Sequence, residues 1–247
     1  MRVALFVPCY IDQLYPQVAI ATLELLQKLG VQVEVPRDQT CCGQPMANTG
    51  CESASRATMR HFVETFARYD YVVGPTGSCV YHVRQHYDIL DQTEAVTQVR
   101  TRIYDLVQFL SEVVDLPDRF ENAFPYRVGL HLSCHGLRGM RMAQSSERVA
   151  PPFSMIGDLL ARVPGLELVE LNRRDECCGF GGTFAVTQAA VSTRMGQDRL
   201  DDHQGQGAEV LTGGDMSCLM HLEGLIRREK RPLRVLHIAQ ILNAAKD

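Results

Sequence analysis

Residues 41–43 read Cys-Cys-Gly, and residues 177–179 read Cys-Cys-Gly again. Each copy is preceded by a cysteine that follows an apolar run, and is followed by a cysteine that stands three positions ahead of a histidine. Eight of the nine cysteines therefore form two ordered sets: Cys9, Cys41, Cys42 and Cys79, then Cys134, Cys177, Cys178 and Cys218. Because thiolates are preferred ligands of soft metals, this repeat predicts two metal sites, with iron–sulfur clusters as the best match.

The composition is that of an ordinary globular chain. Its 247 residues suffice for one large domain or for two of about 120 residues, and the repeat favours two. Apolar residues make up 45%, and a net charge of −4 gives no basic surface on which to expect nucleic acid. No apolar run approaches the length of a membrane span. The N-terminal run is too short for a signal peptide, so we expect the cytoplasm, where thiols stay reduced.

The two halves have the same predicted order of elements. Each begins with a buried strand, at 2–7 or 127–132, and continues through a helix, a second strand, the Cys-Cys-Gly loop, a further helix and a third strand. The pattern predicts helices over 14–29, 52–69, 153–163 and 184–200, strands over 31–35, 71–74, 166–170 and 208–211, and closing helices over 103–110 and 236–242.

Strands that alternate with helices predict the α/β class with parallel sheets. We therefore expect two pseudo-symmetric α/β lobes, 1–122 and 123–247, joined through a segment at 116–125 that contains two prolines. The carboxyl ends of parallel strands lie at one edge of a sheet, so the three cysteine-bearing loops of each half should meet there.

The residues around the cysteines favour thiolates. Cys79 and Cys218 each follow a strand and a glycine turn and should begin a helix, whose positive end stabilises a thiolate. Glycines beside the cysteine pairs would let backbone amides approach sulfur: Gly43, Gly179, Gly181 and Gly182. Zinc in one site is the alternative, although zinc ligands usually stand two to four residues apart rather than adjacent. Cys51 lies outside both sets and should be a free thiol.

This pattern resembles the CCG cysteine-rich domain, which occurs in tandem in the cysteine-rich subunit of heterodisulfide reductase and in iron–sulfur subunits of glycolate and glycerol-3-phosphate dehydrogenases. A stand-alone pair of this length, with Gly-Ser-Cys-Val-Tyr-His at 77–82 and Met-Ser-Cys-Leu-Met-His at 216–221, is most similar to the lactate utilization protein A family. The resemblance implies an electron carrier that works with two partner proteins, at least one of them an iron–sulfur protein, in oxidising L-lactate to pyruvate.

The chain departs from the CCG pattern at the last position of each set. The full pattern ends in Cys-x-x-Cys, whereas this chain has His82 in one half and His221 in the other. Four thiolates per site suit a 4Fe-4S cubane better than the five-cysteine cluster of heterodisulfide reductase. Either histidine is a candidate ligand, since histidine ligates some clusters; the alternative is a histidine that packs beside the ligands or lies on the helix surface.

Three functions remain open at this stage. The absence of a flavin or nicotinamide fingerprint favours an electron-carrying subunit over a complete enzyme, and no catalytic residue is assigned. A thiol/disulfide oxidoreductase like heterodisulfide reductase is the second interpretation, and a zinc-stabilised assembly protein without a redox role is the third. Iron content separates the first two from the third, and turnover of a disulfide without partners separates the second from the first.

Overall fold

The computed structural model describes residues 1–243, which form two compact units. The first unit is Met1–Asp115, and the second begins at Leu116. The segment 116–125, which the sequence marks as a linker, is hydrogen-bonded within the second unit. There the amide of Phe120 donates to the carbonyl of Arg162 at 3.0 Å, and the amide of Phe124 to that of Pro164 at 2.8 Å.

The first unit contains a four-stranded parallel sheet. Its strands are β1 (Val3–Leu5), β2 (Val33–Glu34), β3 (Tyr71–Gly74) and β4 (Ile103–Asp105). Its helices are α1 (Cys9–Leu14), α2 (Pro16–Lys28), α3 (Gln44–Asn48), α4 (Glu52–Phe66), α5 (Gly77–His86), α6 (Glu94–Arg102) and α7 (Leu106–Glu112), with a 3₁₀ turn at Tyr87–Ile89. The strand order is β2-β1-β3-β4, and all neighbours are parallel because helices return the chain between them.

The second unit repeats this architecture. Its strands are β5 (Arg127–Leu130), β6 (Glu167–Leu168), β7 (Val210–Gly213) and β8 (Arg234–His237). Its helices are α8 (Met155–Leu160), α9 (Phe184–Thr187), α10 (Ala189–Gly205), α11 (Met216–Glu229) and α12 (Ile238–Asn243), with a π-helical turn at His135–Gly139. The parallel order β6-β5-β7-β8 matches that of the first sheet, so the predicted pair of similar α/β lobes is confirmed. Within the described residues, no helix combines the length and apolarity needed to cross a membrane.

The predicted closing helices were wrong at their start. Residues 103–105 form β4 and residues 234–237 form β8, and the helices α7 and α12 begin only after them. Ile103 pairs with Val72 in one sheet and Val235 with Leu211 in the other, so both runs complete the fourth strand of a sheet. A short apolar run has no periodicity that separates a buried strand from a helix, and the pairing with a neighbouring strand decides between them.

The two sheets share a register as well as a strand order. Leu5 of β1 pairs with Val73, and the next amide, that of Phe6, donates to the Val73 carbonyl at 2.8 Å. In the second sheet Leu130 pairs with Thr212, and the amide of His131 donates to the Thr212 carbonyl at 2.7 Å. The positions of Phe6 and His131 therefore correspond.

The core of the first unit depends on aromatic packing beside β1. The ring centroids of Phe6 and Phe62 lie 4.9 Å apart, those of Phe62 and Phe66 4.5 Å, and those of Phe6 and Phe66 5.8 Å. All three side chains are almost fully buried, and edge-to-face packing adds to the free energy that burial contributes.

We expect Phe62→Ala to lower the free energy of unfolding by about 3–5 kcal/mol, because it removes a buried ring and leaves a cavity. Urea denaturation followed by circular dichroism measures the change. Ile20→Ala is the control, since Ile20 is 57% exposed on α2, and it should change the value by no more than about 0.5 kcal/mol. Equal losses in the two variants would contradict the packing described above.

Candidate metal centres

The four cysteines of the first set meet beyond the carboxyl ends of the strands. Cys9 begins α1 after β1, Cys41 and Cys42 lie in the loop between β2 and α3, and Cys79 lies in the first turn of α5 after β3. The Sγ atoms of Cys9 and Cys41 are 3.8 Å apart. The thiol of Cys42 contacts those of Cys41 and Cys79, so the four sulfurs form one continuous cluster.

The second set forms the same chain of contacts. Cys134 lies between β5 and the π-helical turn, the pair Cys177 and Cys178 between β6 and α9, and Cys218 in the first turn of α11. Cys177 contacts Cys134 and Cys178, and Cys178 in turn contacts Cys218. The structure thus brings together the residues of each predicted set, while their ligation of a metal stays a prediction. Cys51 is an exposed free thiol that directly precedes α4, outside both sets.

One cysteine in each set is held as a thiolate. Hydrogen bonds from Cys42 and Cys9 lower the pKa of Cys41 to about 3, and the amide of Gly43 adds a further donor at 3.4 Å. Hydrogen bonds from Cys134 and Cys178 lower the pKa of Cys177 to about 2 in the same way.

The neighbouring thiols behave in the opposite sense. Donation to the thiolate, followed by burial, raises the pKa values of Cys9, Cys42, Cys134 and Cys178 above the ordinary range for thiols. Each set is therefore a partly ionised group of sulfurs that must release further protons when a cation binds to all four.

The glycine after each cysteine pair is required by the backbone. Gly179 has a φ of +87°, which side chains disfavour, and a Cβ there would lie 2.6 Å from the carbonyl oxygen of Ser192. This conformation turns the Gly179 amide onto the Cys177 Sγ at 3.4 Å. The amide of Phe180 donates to the Cys178 Sγ at 3.5 Å, so the loop does supply amide donors to sulfur, as the sequence indicates.

The two histidines predicted as possible ligands differ in their surroundings. His82 on α5 is buried and stacks on His86 with the ring centroids 5.3 Å apart. His221 on α11 is half-buried, and its Nε2 lies 3.4 Å from the carbonyl oxygen of Ser192, to which it donates. Ligation by His82 or His221 stays a prediction.

Sequence reasoning missed another histidine at the second set. Within residues 1–243, one group of three potential metal ligands brings its donor atoms within 4.8 Å of one another. This group consists of His131, Cys178 and Cys218. His131 directly follows β5 and is 2% exposed. The sequence did contain a signal for this histidine. His131 is a polar residue within a largely apolar strand run, at the position where the first half has Phe6.

Comparisons with known proteins agree with this site. The model of the CCG cysteine-rich domain matches residues 3–84 and 128–223, which include all eight cysteines of the two sets. Lactate utilization protein A of Halalkalibacterium halodurans is 40% identical over 248 residues, covering 98% of this chain and 97% of that protein. The protein of the same name from an Exiguobacterium species is 41% identical over 249 residues, with the same coverage.

The chain belongs to the lactate utilization protein A family. The resemblance inferred from the cysteine pattern is thereby confirmed. The fold is also similar to that in a crystal structure of a hypothetical protein from Helicobacter pylori, with a TM-score of 0.54. The superposition covers all of this chain and 49% of the Helicobacter pylori chain. At 13% identity, that similarity supports the fold alone.

We expect anaerobically purified chain to contain about two clusters, hence on the order of eight irons with equivalent acid-labile sulfide. Cys41→Ser should remove iron from the first set and Cys177→Ser from the second, because each deletes the thiolate at its centre. Cys51→Ser is the matched control and should keep full loading. Stoichiometric zinc without sulfide, or iron loss in Cys51→Ser, would contradict the assignment.

Gly179→Ala should destabilise the metal-free chain by about 1–3 kcal/mol, because alanine is strained at this φ and its Cβ meets the Ser192 carbonyl. Gly224→Ala on α11 is the control, since a Cβ there meets no atom within 4 Å and alanine favours a helix. Urea unfolding of both variants measures the difference. A loss in Gly224→Ala as large as that in Gly179→Ala would rule out the steric explanation.

Proposed function

We propose that this chain is the iron–sulfur electron-transfer subunit of a complex that oxidises L-lactate to pyruvate. The observation that carries the proposal is the convergence of four thiols at the carboxyl edge of each sheet. The chain is also similar, over nearly its full length, to proteins named for lactate utilization. Iron–sulfur clusters need several thiolates around one point, and each unit supplies four cysteines.

The donor set of each unit fits a cluster. The four sulfurs form a chain of contacts, the pKa of one thiol is strongly lowered, and amides of Gly43, Gly179 and Phe180 donate to sulfur. Amide donors of this kind stabilise negative charge on ligand sulfur. A 4Fe-4S cluster held there would supply reversible one-electron redox chemistry. Zinc in one site remains the alternative, because four cysteines also satisfy a tetrahedral ion.

The duplication suits the stoichiometry of the reaction. Oxidising one lactate to pyruvate releases two electrons and two protons, and two thiol sets in one chain match two electrons at one electron per site. We place the substrate site on one of two partner proteins, at least one of them an iron–sulfur protein, and we assign no catalytic residue to this chain. The cytoplasm is the proposed compartment, because reducing conditions keep ligand thiols from forming disulfides.

The reconstituted chain alone should produce no pyruvate from lactate with an artificial electron acceptor. Activity should appear when the partner proteins are added, and Cys134→Ala or Cys178→Ala should abolish it without preventing co-purification of the complex. Cys51→Ala is the control and should keep full activity, since its thiol lies outside both sets. Sustained pyruvate formation by the chain alone would refute the carrier role, and turnover of a disulfide by the chain alone would favour the oxidoreductase interpretation.

A further inference from the structure

The core beneath the second cysteine set is polar at the positions where the core beneath the first is aromatic. Phe6 and His131 correspond by strand register. A Cβ on Gly43 would contact Ser55, and one on Gly179 would contact Ser192, so these two serines align α4 with α10.

The alignment extends along both helices. Phe62 and Arg199 each lie two turns beyond their serine, and Phe66 and His203 three turns beyond it. The three mutually packed phenylalanines of the first unit are thus replaced by His131, Arg199 and His203 in the second, all of them buried.

Arg199 is a fixed buried cation. Its Nε donates to Nδ1 of His131 at 3.3 Å. Its terminal nitrogens donate to the carbonyl oxygens of Leu130 at 3.3 Å and Arg174 at 3.4 Å, and to the Asp202 carboxylate at 3.4 Å. The guanidinium side chain has no exposed surface, so these acceptors hold it in one orientation.

The contact with Arg199 decides which nitrogen of His131 carries the proton. A guanidinium can only donate, so Nδ1 must accept through its lone pair, and the proton of the neutral ring lies on Nε2. A ring that accepts from a cation at Nδ1 carries one proton and is therefore neutral. Nε2 is buried and has no hydrogen-bond partner among the described residues. One nitrogen of this ring lies within 4.8 Å of the Sγ atoms of Cys178 and Cys218.

This tautomer makes His131 a donor to sulfur rather than a metal ligand. A histidine that ligates a metal normally donates its other N–H to a carboxylate or a carbonyl. The other nitrogen of His131 instead accepts from a cation, which leaves no lone pair on Nε2 for a metal. An N–H beside ligand sulfurs stabilises their negative charge, and so favours the reduced state of a cluster they hold.

We propose that His131, positioned by Arg199, presents its Nε2–H for donation to a cluster held by Cys178 and Cys218, and that this site therefore has a higher reduction potential than the first, where Phe6 stands in its place. The donation and the difference in potential rest on the proposed function, because both require a cluster. The tautomer that Arg199 imposes on His131 requires none, and it can be tested in the metal-free chain.

The first test is the tautomer in the metal-free chain. Nitrogen-15 NMR of histidine-labelled protein should show one ring protonated at Nε2 and bare at Nδ1, and that signal should disappear in His131→Gln. Arg199→Gln should abolish the preference for this tautomer while the fold, followed by circular dichroism, persists. Protonation of His131 at Nδ1 in the unsubstituted chain would overturn the proposal.

The second test is the potential of each site, by anaerobic redox titration with electron paramagnetic resonance. Cys41→Ser isolates the second site, where His131→Phe should shift the equilibrium toward the oxidised state by at least tenfold at a fixed potential, which is about 59 mV for one electron. His131→Gln keeps an N–H in place and should recover most of the shift. Phe6→Leu is the matched control in the first unit and should leave the second site unchanged.

The outcomes separate the two proposals. Fully loaded His131→Phe with an unchanged potential, or a second site that titrates at or below the first, would overturn the inference while the proposed function stands. Failure of the unsubstituted chain to assemble any cluster would refute the proposed function, and the tautomer would still decide the role of His131.

Discussion

The stabilisation of one thiolate by its own neighbours is the interaction on which each unit depends. Hydrogen bonds from adjacent thiols and from a glycine amide lower the pKa values of Cys41 and Cys177 and so favour their thiolates. Those donors come from two loops and the four sulfurs of each set from three, and the carboxyl edge of a parallel sheet is where such loops meet. The strand order, the left-handed glycine and the helix that begins near the last cysteine all serve to place four sulfurs around one point.

The two units bring their cysteines together with the same backbone architecture but have different core residues beneath them. Their strand order and the register of their central strands agree, while three phenylalanines beneath the sulfurs of the first unit are replaced by two histidines and an arginine in the second. Such an arrangement keeps the ligand geometry and alters the electrostatic environment. One chain therefore holds two sites with the same cysteine arrangement and different surroundings.

The cysteine repeat, together with the alternation of strands and helices, was enough to predict the fold class, the number of lobes and the meeting of the loops, because thiol spacing and element order are local properties of the chain. The fourth strands, β4 and β8, could not be predicted, since a short apolar run becomes a strand only when a partner strand such as β3 is beside it. The contact between His131 and Arg199 joins residues 68 positions apart and belongs to no motif. Comparing Phe6 with His131 in the two halves would have indicated it.

The polar core of the second unit also has a consequence for sequence change. Substitutions that convert the aromatic core of the first unit into this polar core can occur only in a restricted order. An arginine placed among phenylalanines would be a buried charge without side-chain acceptors such as His131 and Asp202, which costs several kcal/mol. A carboxylate like Asp202 and the histidine must therefore precede the arginine. His203 imposes a further condition, because a Cβ on Gly129 would clash with its ring, whereas the corresponding position in the first unit is Ala4. Single exchanges between the two cores should therefore destabilise the fold, whereas the set of exchanged residues is compatible only as a whole.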